Sequence, residues 1–256
     1  MKNKIKVSII TPTYNSEKTI SDNLVSIFNQ NYENWEIIIV DNLSTDQTIN
    51  KIKKLDHKNI RIVSEKDKGI YDAINKGIDM AKGDIISILH SDDFYYDNSV
   101  LLNVTNAFNQ FSVDAVYGNL IYVQKLRPDK ILRFWKSKQF EKNDFFKGQT
   151  PPHPSFFVKK DLYKKLGNYK VNLGNSSDFE LMYRFLEKNS IKNKHIDKIF
   201  VSMRYGGASN NSIYGILKQN LVIINILNIN FNIRKIIIFL FTKLTYRIIQ
   251  FIKRPI

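Results

Sequence analysis

Short apolar runs alternate with helix-type patterns through the first part of the chain. The runs predict buried strands at 7–11, 35–40, 60–64 and 85–89. Between them, apolar residues recur every three or four positions and predict helices at 19–29, 44–55 and 70–81. Strands that alternate with helices are typical of a parallel sheet with right-handed crossovers. The sequence therefore predicts an open α/β fold.

The pattern weakens beyond residue 100. The further predicted elements are a helix at 99–110, strands at 115–123 and 156–159, and a helix at 178–189. The stretch 125–154 contains several prolines and is predicted to be mostly loop. Ser44 and Gln47 form a capping-box pattern, in which Ser44 is the N-cap of the second helix. The residues from 214 onwards are predicted to form a helical, apolar and basic tail.

The composition excludes several classes of protein. With 43% hydrophobic and 25% charged residues among 256, the chain can bury a core and is neither disordered nor collagen-like. The absence of cysteine excludes disulfides, thiolate nucleophiles and cysteine-ligated zinc. The net charge of +15 is uneven, because Asp197 is the last acidic residue and the nine Lys and Arg after it contribute +9. Such a charge predicts polyanions, anionic lipid or phosphorylated substrates as partners.

Acidic side chains follow three of the predicted strands. Asp41 follows the second, Glu65 the third, and Asp92 with Asp93 the fourth. In an open parallel sheet, ligands bind outside the carboxyl ends of the strands, and carboxylates gathered there repel one another unless a cation relieves them. Oxygen ligands favour Mg²⁺ or Mn²⁺ over zinc. Each acid alone is typical of a turn or a helix cap, but their joint occurrence at successive strand ends favours a functional site.

Four segments at these strand ends resemble, in order and spacing, the glycosyltransferases of family 2, which have the GT-A fold. The segments are KVSIITPTYN at 6–15, DNLSTDQT at 41–48, GIYDAINKGI at 69–78 followed by Gly83-Asp84, and SDD at 91–93 in place of the D-x-D metal motif. The resemblance covers roughly residues 5–100 and is strongest to small bacterial transferases of polysaccharide and O-antigen assembly. It implies a mixed, mainly parallel sheet flanked by helices.

The resemblance implies a set of donor contacts. The residues that would contact the nucleotide of the donor are Thr11, Pro12, Tyr14, Asp41, Asp72, Asn75, Lys76 and Asp92. Among them, Asp41 would accept a hydrogen bond from the base, which suits uracil N3–H. Asp93 would ligate a Mn²⁺ or Mg²⁺ ion that bridges the diphosphate. Since Ser91 stands where the metal motif has its first Asp, Asp93 would be the main protein carboxylate on the metal.

A second set of implied residues concerns the acceptor. The segment SSDFEL at 176–181 resembles the part of the family that carries the catalytic base, and it implies Asp178 as the base and Glu180 as the second candidate. An ordinary carboxylate in the first turn of a helix is the alternative for Asp178. His153 would contact the diphosphate or the acceptor, or be structural. The segment 204–209 resembles a Gly-Gly loop near the sugar nucleotide, with a plain turn as the alternative.

The implied activity is inverting, metal-dependent transfer of a hexosyl or N-acetylhexosaminyl group from a nucleotide-sugar, with a UDP-sugar favoured. The implied acceptor is a glycan, or a glycan linked to polyprenyl diphosphate. Processive family members carry a Q-x-x-R-W motif and spanning helices, which this sequence lacks, so a non-processive enzyme is expected. The implied domains are a GT-A catalytic domain at 1–212 and a basic amphipathic tail at 213–256. In the first, residues 1–100 would bind the nucleotide-sugar and 101–212 the acceptor.

The tail interleaves large apolar residues with six cations between Arg234 and Arg254. Lys243 and Arg247, four residues apart, are predicted to turn toward the anionic headgroups of a membrane surface. Packing on the domain, or a homodimer contact through these helices, are the alternatives. There is no signal-peptide pattern and no run of ~18 apolar residues. The protein is therefore expected in the cytoplasm, peripheral on the inner face of the plasma membrane.

Three other functions compete with this one. A nucleic-acid-binding protein would place basic residues among aromatic ones on a sheet face, whereas here the surplus charge lies in the tail, so no nucleic-acid partner is expected. A dinucleotide-dependent oxidoreductase is disfavoured because the ten glycines form no G-x-G-x-x-G motif. A catalytically inactive module that binds a sugar nucleotide stays open.

Overall fold

The chain folds around one mixed sheet that is covered by helices. The structure is a computed structural model that describes residues 4–206, 213–229 and 232–252. The strands in these residues are β1 (Val7–Thr13), β2 (Trp35–Asp41), β3 (Ile60–Ser64), β4 (Ile85–Ile88), β5 (Phe94–Tyr95), β6 (Ala115–Gln124), β7 (Arg127–Trp135), β8 (Phe156–Lys159) and β9 (Asn193–Arg204). The helices are α1 (Ile20–Phe28), α2 (Thr48–Lys53), α3 (Ile70–Met80), α4 (Val100–Phe111), α5 (Lys160–Leu166), α6 (Ser177–Met182), α7 (Ile213–Leu227) and α8 (Ile233–Ile252).

The first four strands form a parallel sheet and carry the predicted strand ends to one edge. β1 lies between β2 and β4 and is parallel to both, and β3 continues the sheet beyond β2. Every residue of β1 and β2 is buried, as expected for strands covered on both faces. Gly77 lets α3 lie directly on β1, because a Cβ at Gly77 would be 2.4 Å from Ile10 Cγ2. The predicted bounds of these four strands are confirmed to within two residues.

The second half of the chain extends the sheet with strands of both directions. β8 joins the halves, since it pairs antiparallel with β4 and with β6. β6 is parallel to β9 and antiparallel to β7. The predicted helix at 178–189 is confirmed as α6, which continues as a π-helix over Tyr183–Lys188. The apolar side of this helix packs into the same core as β1 and α3, so the two halves share one interior.

Two predictions of local structure are wrong. Ser44 does not cap α2, because its hydroxyl and its N–H both donate to the Asp41 carboxylate, and the helix begins only at Thr48. Residues 127–135, predicted as loop, form β7. This strand pairs with β6 alone among the described strands, and Pro128 is tolerated because an edge strand does not need every N–H for its ladder.

The two carboxyl-terminal helices pack on the second half of the fold. Phe239 of α8 is fully buried, and Tyr246 donates its hydroxyl to the Lys136 carbonyl at 2.8 Å. Lys243 contradicts the predicted orientation of the tail, because it faces the protein and donates to Asn220 of α7 at 2.7 Å. In the described part of the chain, no helix combines the length and apolarity that are needed to cross a membrane.

Candidate functional site

The ends of β1, β2 and β4 are tied together at one edge of the sheet. The Asn15 N–H, just after β1, donates to Ser44 Oγ at 2.9 Å, and Ser16 Oγ lies 2.7 Å from Ser91 Oγ. The segment after β1 is therefore bonded to the loop that follows β2 on one side and to the turn that follows β4 on the other. Because neighbouring strands are about 4.8 Å apart, the loops that carry Asp41 and Asp93 are separated by about two strand spacings.

Asp41 ends β2 and is fully buried. Its Oδ2 accepts hydrogen bonds from Ser64 Oγ at 2.6 Å and from the Ser44 N–H at 3.0 Å, and its Oδ1 accepts one from Ser44 Oγ. These bonds fix the carboxylate at the end of the strand in one orientation. A carboxylate that three local donors hold keeps lone pairs for one further donor, such as a base N–H.

Thr11, Pro12 and Tyr14 lie along the end of β1. Thr11 is fully buried and, among the described atoms, its Oγ1 has no hydrogen-bond partner. Pro12 pairs in register with Val40 of β2. Tyr14 follows the strand and is 57% exposed, so its aromatic face is available to a flat ligand. The prediction that these three residues line the base pocket stays a prediction.

The predicted donor residues of α3 divide into two groups. Lys76 contacts Glu65 at 2.8 Å and Asp72 at 3.7 Å, so these charges lie together beside the end of β3. Asn75 instead exchanges two hydrogen bonds with the backbone of Tyr169, at 2.9 and 3.0 Å. In this structure its amide therefore holds the loop at Tyr169, and its predicted contact with the donor is untested.

Asp93 is a fully buried carboxylate in the turn after β4. Its Oδ1 accepts the Arg204 N–H at 3.2 Å, and its Oδ2 has no hydrogen-bond partner among the described residues. Burial and the neighbouring charge of Asp92 raise the pKa of Asp93 well above its ordinary value, although Arg204 opposes them. Asp92 is half-buried, and its carbonyl accepts a hydrogen bond from Arg204 at 2.6 Å. A bound cation would stabilise a buried carboxylate oxygen that has no hydrogen-bond partner and lies beside a second acid.

The described residues contain no group of three or more His, Cys, Asp or Glu side chains that could hold a metal ion by themselves. Mg²⁺ keeps several water molecules and is commonly bound through one or two carboxylates together with substrate phosphates. Asp93, with its unpaired Oδ2, and the adjacent Asp92 fit such a site. The residues present therefore fit a divalent cation shared with a diphosphate, rather than a cage made of protein ligands alone.

Asp178 is the second residue of α6 and lies beside Tyr71 of α3. It is half-buried, and its Oδ1 accepts the N–H of Phe179 at 2.7 Å. Burial raises the pKa of Asp178 to about 6, although the Phe179 N–H, the Lys243 charge and the Tyr71 hydroxyl lower it. A carboxylate with this pKa is ionised at neutral pH and is a stronger base than an ordinary Asp, which suits a general base.

Glu180 is held in an ion cluster. Arg184 donates from Nε to Oε1 at 3.0 Å and from Nη2 to Oε2 at 2.9 Å, and Lys170 Nζ lies 2.8 Å from Oε1. Burial would raise the pKa of Glu180, but the hydrogen bonds from Arg184 and Lys170 lower it below its ordinary value. The two candidate bases thus differ in their surroundings, and those of Asp178 favour proton uptake.

His153 is buried between two aromatic groups. Its Nε2 lies 2.7 Å from the Tyr169 hydroxyl, and its ring meets that of His90 edge-on, with centroids 6.4 Å apart. Burial and the neighbouring His90 lower the pKa of His153 to about 3. It is therefore neutral near pH 7 and would contact a diphosphate as a hydrogen-bonding group and not as a cation.

Two residues of the site were missed by sequence reasoning. Arg204, at the end of β9, is 4% exposed and contacts Asp92 and Asp93 from more than 100 residues away in the chain; its Nη2 also pairs with Asp22. Tyr71 stacks on Tyr169 with centroids 5.5 Å apart and lies against Asp178. Both lie in segments that resemble family motifs, 69–78 and 204–209, but no local pattern predicts the contact of Tyr71 with Asp178 or that of Arg204 with the turn after β4. Most of the predicted Gly-Gly loop, 207–209, lies outside the described residues.

The sheet, with carboxylates gathered at the ends of its parallel strands, defines a GT-A glycosyltransferase fold. The crystal structure of S. aureus TarS 1-349 in complex with UDP-GlcNAc superposes with a TM-score of 0.69 at 18% identity, covering 94% of this chain and 73% of that chain. The family model for glycosyl transferase family 2 matches residues 8–167. The chain belongs to this family, as the strand-end motifs predict.

Curated relatives are similar over part or most of their length. The Escherichia coli protein named UDP-Glc:alpha-D-GlcNAc-diphosphoundecaprenol beta-1,3-glucosyltransferase WfgD is 32% identical over 139 residues, which are 50% of this chain and 55% of that protein. A PGL/p-HBAD biosynthesis glycosyltransferase of Mycobacterium tuberculosis H37Rv is 26% identical over 209 residues, which are 79% of this chain and 78% of that protein. The chain thus spans about half the length of the E. coli relative.

Proposed function

We propose that this chain is an inverting, metal-dependent and non-processive glycosyltransferase that moves one sugar from a UDP-sugar to a lipid-linked glycan. The observation that carries the proposal is the placement of Asp41 and Asp93 at the same edge of a GT-A sheet, where Asp93 keeps a buried carboxylate oxygen without a partner among the described residues. The E. coli relative is named for a UDP-glucose donor, and TarS was crystallised with UDP-GlcNAc, which supports a uridine nucleotide.

The donor is held by the edge formed by β1, β2 and the turn after β4. Asp41, oriented by Ser44 and Ser64, accepts the N3–H of uracil, and the exposed ring of Tyr14 covers the base. Asp92 contacts the ribose. Asp93 would hold a Mn²⁺ or Mg²⁺ ion together with the diphosphate oxygens; such an ion, when bound, supplies Lewis-acid stabilisation of the charge on the leaving diphosphate.

Transfer requires a base on the acceptor side, and Asp178 supplies it. As the acceptor hydroxyl attacks the anomeric carbon, its proton moves to the Asp178 carboxylate, and the bond from the sugar to the diphosphate breaks. Attack from the face opposite the leaving group inverts the anomeric centre. Tyr71, which stacks on Tyr169 and hydrogen-bonds to Asp178, positions the carboxylate.

The outer face of α8 is proposed to lie on a membrane surface. Large apolar side chains are exposed along one side of the helix: Ile233, Ile237, Phe241, Leu244, Ile248 and Ile252. Arg234 and Lys235 are exposed at the amino end of the same helix, where they complement anionic lipid. Flotation with anionic liposomes tests this proposal: the wild type should float, and Phe241→Glu should reduce flotation. Equal flotation of the two proteins, or loss of a dimer in the variant, would favour another role for this face.

Thermal-shift measurements test the donor assignment directly. The protein is heated with UDP, GDP, CMP or dTDP, each with and without Mn²⁺. UDP together with Mn²⁺ should raise Tm, and Asp93→Asn should abolish the contribution of Mn²⁺ without removing that of UDP. If GDP or dTDP raises Tm and UDP does not, the uridine assignment is wrong. If UDP-sugars bind but no sugar is transferred to any lipid-linked acceptor, the chain is an inactive binding module.

A further inference from the structure

Helix α8 turns its apolar side outward and a cation inward. Opposite the exposed apolar face described above, Phe239 is fully buried and Gln250 is 4% exposed. Lys243 follows Phe239 by four residues and precedes Gln250 by seven, so helical periodicity places it on the same inner face. This arrangement is the reverse of a helix that points all its cations at lipid headgroups.

Lys243 is fixed in position by its neighbours. Its Nζ donates to Asn220 Oδ1 at 2.7 Å, and its backbone rests on Gly148, where an added Cβ would lie 2.6 Å from Lys243 Cβ. Its charge acts on Asp178, lowering the pKa of that carboxyl against burial. An ammonium group carries three donors, so the bond to Asn220 leaves capacity for an oxyanion beside the proposed base.

Two arginines bring further positive charge to the same place. Arg247 lies one helical turn after Lys243, and together with burial it lowers the pKa of Lys243 to about 8. Arg133 of β7 is 6% exposed, donates from Nε to Gln250 at 2.7 Å and lies 4.5 Å from the centroid of the Tyr122 ring. Burial and the charge of Arg247 lower the pKa of Arg133 as well. Like charges gathered in a partly buried place repel one another, and a bound anion would relieve them.

We propose that Lys243 and Arg247 bind the phosphate oxygens of an acceptor whose sugar hydroxyl lies at Asp178, so that α8 forms part of the acceptor site. The inference rests on the proposed transferase function and names the chemical class of its acceptor, a lipid diphosphate that carries a sugar. A sugar ring separates the diphosphate from the attacking hydroxyl, so the phosphates and the Asp178 carboxylate do not need to meet.

The donor also carries a diphosphate, but the placement of the cations favours the acceptor. On the donor side, Arg204 already lies at Asp92 and Asp93. Lys243 and Arg247 lie on the inner side of α8. The exposed apolar side chains lie on its outer face, at a distance of one helix diameter, about 10 Å. A lipid diphosphate would place its charged headgroup at the inner face of this helix and its apolar chain at the outer face. A nucleotide-sugar has a charged group for the inner face but no apolar chain for the outer one.

Binding measurements with soluble probes test this inference without requiring an active enzyme. Farnesyl diphosphate and farnesol are titrated by calorimetry into the full chain and into the variants Lys243→Gln, Arg247→Gln and the double variant. Lys164→Gln and Lys165→Gln, exposed cations of α5 to which no part of the site is assigned, serve as controls for the loss of one positive charge. Lys243→Arg keeps the charge and should retain binding, which separates loss of charge from damage to the fold. UDP with Mn²⁺ is titrated into every protein.

The wild type should bind farnesyl diphosphate more tightly than farnesol. Each single variant should weaken that binding about tenfold and the double variant on the order of 100-fold, because each cation makes a charge-assisted hydrogen bond. The controls and all affinities for UDP should be unchanged. If the variants weaken UDP and leave farnesyl diphosphate unaffected, the cations serve the donor, and the inference is wrong. If farnesyl diphosphate binds no better than farnesol, it is also wrong, while normal binding of UDP would leave the proposed donor site standing. If UDP itself fails to bind, the proposed function fails.

Discussion

Replacing Asp178 by Asn removes the proposed proton acceptor while keeping the size of the side chain. A positioned general base contributes about 10²–10⁴-fold to a rate, so kcat should fall by that factor. The affinity for the nucleotide should not change, because Asp178 lies beside Tyr71 and Lys243 rather than at the end of β2 or β4. Tm should stay near that of the wild type, since an amide avoids the burial of a charge.

The dependence of the rate on pH makes the same prediction sharper. Burial raises the pKa of Asp178 to about 6, and the base works only when it is ionised. The carboxylate is then about half ionised at pH 6 and about one tenth ionised at pH 5, so kcat/KM should fall about tenfold per unit below pH 6. Lys243→Gln removes a positive charge that lowers this pKa, and it should move the acid limb to higher pH.

The assay follows release of the nucleoside diphosphate from pH 4.5 to 8, with a panel of sugar-linked lipid diphosphates as acceptors and a panel of UDP-sugars as donors. Glu180→Gln is the matched control, because Glu180 is bound by Arg184 and Lys170 and its amide variant should keep most of kcat after correction for any loss of stability. The reasoning fails if Asp178→Asn retains the wild-type kcat, or if Glu180→Gln is the variant that loses it.

Three further predictions concern the metal and the fold. Asp93→Asn should reduce transfer about 100-fold or more and make the residual rate insensitive to Mn²⁺ and EDTA; a variant that still responds to Mn²⁺ would contradict the placement of the metal. Gly118→Ala should lower the free energy of unfolding by about 1–3 kcal/mol in urea denaturation, because its Cβ would lie 2.6 Å from the Phe200 ring, and an unchanged midpoint would count against this packing. Glu36→Ala should destabilise by about 3 kcal/mol, since it leaves Arg61 and the bonded groups around it without their buried partner. For Glu36→Ala, a chemical denaturation curve that overlays the wild-type curve would refute the argument.

The gathering of acidic side chains at one edge of the sheet could be predicted from the sequence because these residues lie at the strand ends. Asp41 and Asp93 each follow a short apolar run, and the order of the parallel strands brings those ends together. Ser44 shows the limit of local patterns: its capping-box spacing is correct, but its hydroxyl is used by Asp41 instead of by the helix. Whether the Ser44 hydroxyl caps the helix or binds Asp41 can be decided only when the position of the strand end is known.

The surroundings of Asp178 could not be predicted in the same way. Lys243 lies far along the chain from Asp178, and the pattern of the tail predicts the opposite orientation for it, toward a membrane surface, whereas it faces Asn220. The amphipathic pattern of α8 was visible, but periodicity alone does not say which face turns inward. The inward face is set by two contacts of Lys243: its backbone packs against Gly148, and its ammonium group donates to Asn220. β7 escaped prediction because Pro128 and exposed polar residues on an edge strand resemble a loop.

The most direct test of the central claim is a crystal structure of the protein with UDP and Mn²⁺, with the metal located by its anomalous signal. We expect a Mn²⁺ peak about 2.1 Å from Asp93 Oδ2, diphosphate oxygens on the same ion, and uracil bonded to Asp41. A metal bound away from Asp93, or a uracil ring with no contact to Asp41, would contradict this expectation.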